Sequence, residues 1–313
     1  MWNPTHSHLS FRLPVPGQQL RLSFEEARPI VQLIFAARFA VGGAFLLATT
    51  HDLNLLLALT GQIAWLFAAW AVYLYNGLTD RIEDQANGSS RPIATGKLEA
   101  TTATYICAAL ATGGLLIGSL VSLQFAALIV GMLALGALYS AGHTPLKSFP
   151  VLGLATAGGG VFLTYVAGGY AYTGHLEPSL LLIATVMALW TVAAGNTKDF
   201  GDIEGDREAG RKSLPILLGI PRAAAFTSTA SCAVAALALL VGILVPLAIP
   251  LWMLIPGSVV IAVRLRSIDP DQSRQLLRRG YRSFMQSQYA ANIGLLIVCL
   301  IGGLVYGVHL KLC

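Results

Sequence analysis

Long apolar runs, each broken by a short polar segment, recur along almost the whole chain. A helix needs roughly 20 mainly apolar residues to cross the hydrocarbon core of a bilayer. Runs of that kind place helices near 29–50, 54–76, 101–120, 123–142, 151–173, 178–197, 222–245, 247–264 and 286–309. The eighth run is short and holds Pro250 and Pro256, where a proline removes a helical hydrogen bond. The pattern predicts an all-α membrane protein of about nine transmembrane helices. It divides the chain into a cytoplasmic N-terminal segment, 1–28, and a single transmembrane domain, 29–313. The first segment has no short apolar core followed by a small-residue cleavage site, so it does not read as a cleavable signal peptide.

Composition agrees: 55% of the 313 residues are hydrophobic and only 11% are charged, against about 25% charged in a soluble domain. The basic residues then fix an orientation. Cytoplasmic loops carry the Lys/Arg excess, and 18 of the 20 basic residues fall before the first run or in the loops 2–3, 4–5, 6–7 and 8–9. Only Lys311 falls on the other face, and Arg38 lies within the first run. The N-terminus is therefore expected to be cytoplasmic and the C-terminus external. This bias also accounts for the net charge of +5, so the basic balance gives no reason to expect nucleic acid as a partner. On the same argument Arg278 and Arg279 read as anchors at the membrane surface. The four cysteines have no CxxC spacing and the six histidines no zinc-site spacing.

The acids are concentrated instead. Nine of the 15 lie in loops 2–3 and 6–7 with their edges, seven of them within Asn76-Gly-Leu-Thr-Asp80-Arg-Ile-Glu-Asp84 and Asn196-Thr-Lys-Asp199-Phe-Gly-Asp202-Ile-Glu-Gly-Asp206. Four runs separate the two motifs, which places both on the same face and suggests a parallel repeat. At about 100° per residue, Asn76, Asp80 and Asp84 drift ~40° per step along one helical stripe, and Asp199, Asp202 and Asp206 fall within ~60°. Like charges at this spacing destabilise a helix, and a hard divalent cation compensates. Magnesium takes oxygen ligands and is usually held by one or two carboxylates together with substrate phosphates. Basic residues follow the acids: Arg91 ahead of Pro92, then Lys198, Arg207, Arg211 and Lys212 around the second motif. Arginine and lysine suit phosphate oxygens, although topology alone would also put them there.

These motifs resemble those of the UbiA superfamily of intramembrane prenyltransferases. Asn76, Asp80 and Asp84 match its N-x-x-x-D-x-x-x-D, with Arg91, Pro92 and Gly96 after it. Asp202 and Asp206 match its D-x-x-x-D, and Arg28-Pro29, Tyr139-Ser140 and Pro145-Leu-Lys147 also fall where the family has them. The resemblance implies nine helices around a central cavity capped by loops 2–3 and 6–7, and Mg2+-dependent transfer of a prenyl chain from a prenyl diphosphate to an aromatic, quinone-precursor-like acceptor. It implies that Asp80, Asp84, Asp202 and Asp206 are catalytic metal ligands. Asn76 would support those ligands, Arg91, Lys147, Arg207 and Lys212 would touch the diphosphate, and Tyr139 and Ser140 would sit near the acceptor; Lys198 and Asp199, beside the second motif, are further substrate-binding candidates. One departure stands out: Gly142-His143-Thr144-Pro145 replaces the Pro-Pro of many members, which leaves acceptor contacts open, with His143 an alternative base there.

An apolar cavity would keep an allylic cation from water, and aromatic faces such as Tyr139, Phe162, Tyr165, Tyr170 and Trp190 could stabilise it. Two other readings stand beside the transferase. A terpene cyclase of the same superfamily would quench the cation internally and need no acceptor. An ion-coupled transporter would place its acids in broken helices near the midplane, whereas here they lie at helix ends.

Overall fold

The structure, a computed structural model, describes residues 16–50, 52–86, 88–142, 144–208, 210–268, 274–306 and 309–311. Among the described residues nine helices are long and apolar enough to cross a membrane: Pro29–Thr50, Leu55–Thr79, Ala100–Val121, Leu123–Ser140, Pro150–Thr173, Pro178–Gly201, Ile220–Leu244, Pro246–Arg266 and Arg279–Gly303. These are the first to ninth spans below. The protein is a multi-pass membrane protein, and large apolar side chains such as Ile30, Leu33, Leu120, Ile243 and Val305 stand exposed on its outer surface, as a lipid-facing belt requires.

Local chemistry sets the ends. Proline opens the first, fifth and sixth spans at Pro29, Pro150 and Pro178, where its missing N–H costs nothing. Asn54 and Ser122 cap the second and fourth spans, accepting from Leu57 N at 3.1 Å and Phe125 N at 3.0 Å. The eighth span begins as a tight 3-10 turn, Pro246–Met253, and becomes α-helical at Leu254. Pro250 lies inside that turn and cannot donate an α-helical bond. An amphipathic helix, Pro16–Glu26, precedes the first span. Residues 52–54 and 309–311 add a short parallel strand pair that no apolar pattern could announce.

The spans do not form a simple ring. Each packs on its neighbour in sequence and the ninth returns to the first, but the first also packs along the fifth. Those two form a wall between one apolar core built on the second and fourth spans and another on the sixth to ninth. The wall is close-packed, because a Cβ on Gly42 would run into the Tyr165 carbonyl and one on Gly168 into the Phe39 carbonyl. Glycines 158 and 168 serve helix approach, as membrane helices favour.

The loops 2–3, 6–7 and 8–9 converge at one end of the bundle around a cavity of about 1070 Å³. The expected central cavity is thus a polar chamber at this end.

Candidate active site

The first acidic motif keeps its stripe across a helix end. The second span stops at Thr79 with Asp80 as its C-cap, yet the i to i−4 bonds continue: Asp80 N–H donates to Asn76 O at 2.9 Å and Asp84 N–H to Asp80 O at 2.7 Å. Lys147, from the turn Leu146–Ser148, pairs with Asp80. Asn76 donates to Ser140 Oγ at 3.2 Å and ties the end of the fourth span to the motif. Arg91 Nη1 lies 2.6 Å from Asp84, and Arg91 Nη2 lies 2.7 Å from Glu26. The Glu26 carboxylate, fully buried, also accepts the Ile93 N–H at 2.9 Å. Burial pushes its pKa up, and the Ile93 N–H and Arg91 pull it back part of the way. Gly77 makes room for this pair, since a Cβ there would overlap Glu26 and stand 2.8 Å from Arg91 Nη2.

The second motif departs from the expected single stripe. The sixth span changes from α-helix to 3-10 at Gly195, ends at Gly201, and a separate short helix runs Ile203–Glu208. Asp202 N–H bonds back to Asp199 O at 3.1 Å, a three-residue step, whereas Asp206 N–H bonds to Asp202 O at 2.8 Å. Asp202 and Asp206 therefore keep helical spacing while Asp199 is offset from them. Arg278 Nη2 donates to both oxygens of Asp202, at 2.7 and 2.8 Å. Arg278 belongs to the site, which corrects its reading as a membrane anchor: the segment entering the ninth span folds back over the sixth.

Arg211 joins the two motifs. Its Nη2 lies 2.7 Å from each oxygen of Glu83, and its Nη1 lies 3.9 Å from Asp206. Burial works against the Arg211 charge, but Glu83, Asp80 and Asp206 outweigh it and raise the pKa. Asp206 is buried, which raises its own pKa, with Ser213 and Arg211 offsetting part of the rise.

Asp80, Asp84, Asp202 and Asp206 all line the cavity, with Arg91, Lys198 and Arg207. Asn76, Ser140 and Lys147 lie behind this lining and reach it through their partners. Lys212 is exposed, and neither it, Tyr139 nor Asp199 contributes to the wall. His143 lies outside the described residues. Sequence reasoning missed Glu26, Arg28, Glu83, Arg278 and Tyr281 as parts of the site. Glu83 lay inside the first acidic motif, and Arg28 carried its place in the Arg-Pro motif; Arg28 now proves to have a positive φ of 59°.

The acids do not converge on a point. Among the described residues no three His, Cys, Asp or Glu side chains stand close enough together to hold a metal ion. Each carboxylate faces a cation, so charge is balanced pair by pair. The donor set nevertheless suits a hard divalent ion: carboxylates alone, from both acidic motifs, on the lining of one polar cavity. A carboxylate has about four lone-pair sites, and one cation does not exhaust them.

The sequence profile of the UbiA prenyltransferase family matches residues 36–287. The chain belongs to that family. Among relatives, a digeranylgeranylglyceryl phosphate synthase of Haloquadratum walsbyi is 28% identical over 256 residues, covering 79% of this chain and 84% of that one. The bacteriochlorophyll synthase 33 kDa chain of Rhodobacter capsulatus is 32% identical over 49% of this chain and 52% of its own. A UbiA homologue from Archaeoglobus fulgidus, solved with GPP and Mg2+, superposes with a TM-score of 0.68 at 20% identity, over 88% of this chain and 99% of that one. This UbiA-family chain therefore shares the fold of that homologue.

Proposed function

We propose that this UbiA-family prenyltransferase binds a prenyl diphosphate with magnesium in the cavity at the loop end of the bundle and passes the prenyl chain to an acceptor. The observation that carries the reading is the placement of both Asp pairs on the walls of one cavity. Asp80 and Asp84 would hold metal on one wall, Asp202 and Asp206 on the other. Magnesium, when bound, neutralises the leaving diphosphate so that the allylic C–O bond can ionise. The protein supplies the remainder. Lys198, Arg207 and Arg91 face the cavity as cationic partners for phosphate oxygens. Tyr281 lines it and continues inward through Phe284, 5.8 Å away between ring centroids, to Trp190 at 6.3 Å. This aromatic run leads toward the apolar core, where a cation meets ring faces and little water.

The acceptor follows from the family resemblance as an aromatic, quinone-precursor-like molecule. A second reading has specific support: several relatives, among them the Haloquadratum one, are named for a glyceryl phosphate product. One assay separates the readings. Membranes carrying the protein are given Mg2+ and labelled prenyl diphosphates of several lengths, with an aromatic acceptor, a prenylated glyceryl phosphate, or none. A lipid product requiring the aromatic acceptor supports the first reading, and one requiring the glyceryl phosphate moves the proposal to the second. A product formed without acceptor means a cyclase and overturns transfer.

The orientation is part of the proposal. The basic residues at the cavity end put it in the cytoplasm with the N-terminus, and put the end of the ninth span outside. Single cysteines at Ser89 and Glu204 in a cysteine-free background should react with an impermeant maleimide only from the cytoplasmic side. One at Leu123, the first residue of the fourth span, should react only from outside. Reversed labelling would contradict the orientation.

A further inference from the structure

One charged side chain of the segment between the eighth and ninth spans enters the cavity lining, and the reading above gives it no task. Arg278 forks onto both oxygens of Asp202 and shares the cavity wall with Tyr281. Its stem passes over the bare Cα of Gly201, where a Cβ would stand 2.5 Å from Arg278 Cγ. The guanidinium is not used up, because its buried Nε has no hydrogen-bond partner. A guanidinium offers five donors in a planar fork that matches phosphate oxygens.

The cations of the site fall into two kinds. Arg91 is paired with Glu26 as well as Asp84, and Arg211 with Glu83 as well as Asp206. Both keep a carboxylate counterion when an Asp is committed to a metal. Arg278 has no such reserve, since among the described residues Asp202 is its one carboxylate partner. An arginine whose only counterion is shared with a metal inside a partly closed cavity is left under-compensated, and a second anion restores the balance. The anion delivered with the metal is the diphosphate. We propose that Arg278 is a substrate-binding residue that turns from Asp202 to the diphosphate oxygens once Asp202 is committed to a metal. The inference rests on the magnesium–diphosphate reading of the cavity.

The test uses the full chain purified in detergent and two probes. Inorganic pyrophosphate binding is measured by calorimetry in saturating Mg2+, and Mn2+ binding alone by electron paramagnetic resonance. In Arg278→Gln, pyrophosphate binding should weaken roughly 10- to 100-fold, as expected for a lost charge-assisted contact. Mn2+ binding should stay the same or tighten, because Asp202 is released from its partner. Arg279→Gln should leave both unchanged. Pyrophosphate binding as in the wild type would overturn the proposal. So would equal losses of Mn2+ and pyrophosphate, which would make Arg278 merely a holder of Asp202. Should Arg278→Gln fail to fold, Arg278→Lys decides, since it keeps the charge but not the fork. A loss on the order of three- to tenfold supports the role and none overturns it. A wild-type protein that binds no pyrophosphate with Mg2+ would instead defeat the reading of the cavity itself.

Discussion

Asp80→Ala and Asp202→Ala should each abolish turnover while leaving an inserted, folded protein. Each removes a carboxylate from the cavity lining, and under the proposed reading a bound metal would then lose a charged oxygen ligand. The neutralisation of the leaving diphosphate is lost at the step where charge develops, so kcat should fall on the order of a thousandfold or more. The fold should tolerate the change because Asp80 and Asp202 lie at loop ends outside the spans, on the lining of the cavity. Each substitution also strips a cation of its partner, Lys147 in one case and Arg278 in the other. Thermal unfolding in detergent must therefore accompany the labelled-diphosphate assay. A variant with near-normal turnover would remove that residue from the ligand set.

Gly168→Ala should be nearly as damaging by a different route, with loss of the folded protein itself. Gly168 faces the Phe39 carbonyl, and Gly42 faces the Tyr165 carbonyl and the Gly169 amide. The obstacles are backbone atoms of a neighbouring helix, which cannot rotate aside as a side chain can. The methyl group must push the first and fifth spans apart, and these two form the wall on which both apolar cores are built. Overpacking of this kind costs about 3 kcal/mol or more, a large share of the total stability of most domains. Gly168→Ala, and more severely the double variant with Gly42→Ala, should unfold at markedly lower temperature or fail to accumulate in membranes. Gly17→Ala, with nothing within 4 Å of its Cβ, is the control. Melting of Gly168→Ala alongside the wild type would mean that the two spans are not packed backbone to backbone.

The spans were legible because lipid forces a periodic apolar signal over about 20 residues. What hid from that signal was polar structure paired inside the protein. The ninth span begins at Arg279 rather than near 286, since Ser283, Ser287 and Gln288 in its first turns are buried. Gln288 accepts a hydrogen bond from Arg38 at 2.6 Å, and the Ser287 hydroxyl donates to the Ser283 carbonyl at 2.9 Å. A hydropathy reading counts such residues as loop. The same limit applied to the site. Spacing along one helix revealed Asp80 and Asp84, because their stripe survives the helix end. It misjudged Asp199, because the change to 3-10 geometry at Gly195 leaves no composition signal. Glu26 and Arg278 are 58 and 76 residues from the acids with which they share a network, and no local pattern spans such distances. The sequence favoured Lys212 over Arg211 for the diphosphate, and only the fold turns Arg211 toward Glu83 and leaves Lys212 exposed.

The central claim is that the cavity between the two Asp pairs is where metal and diphosphate meet. Its most direct test is an experimental structure of the protein with Mn2+ and a non-ionisable thiolodiphosphate analogue of geranyl diphosphate, using the anomalous signal of manganese. Metal density should lie against Asp80 and Asp84 on one wall and against Asp202 and Asp206 on the other, with the diphosphate between them. Manganese bound elsewhere, or a diphosphate held in the cavity with no metal on either Asp pair, would contradict it.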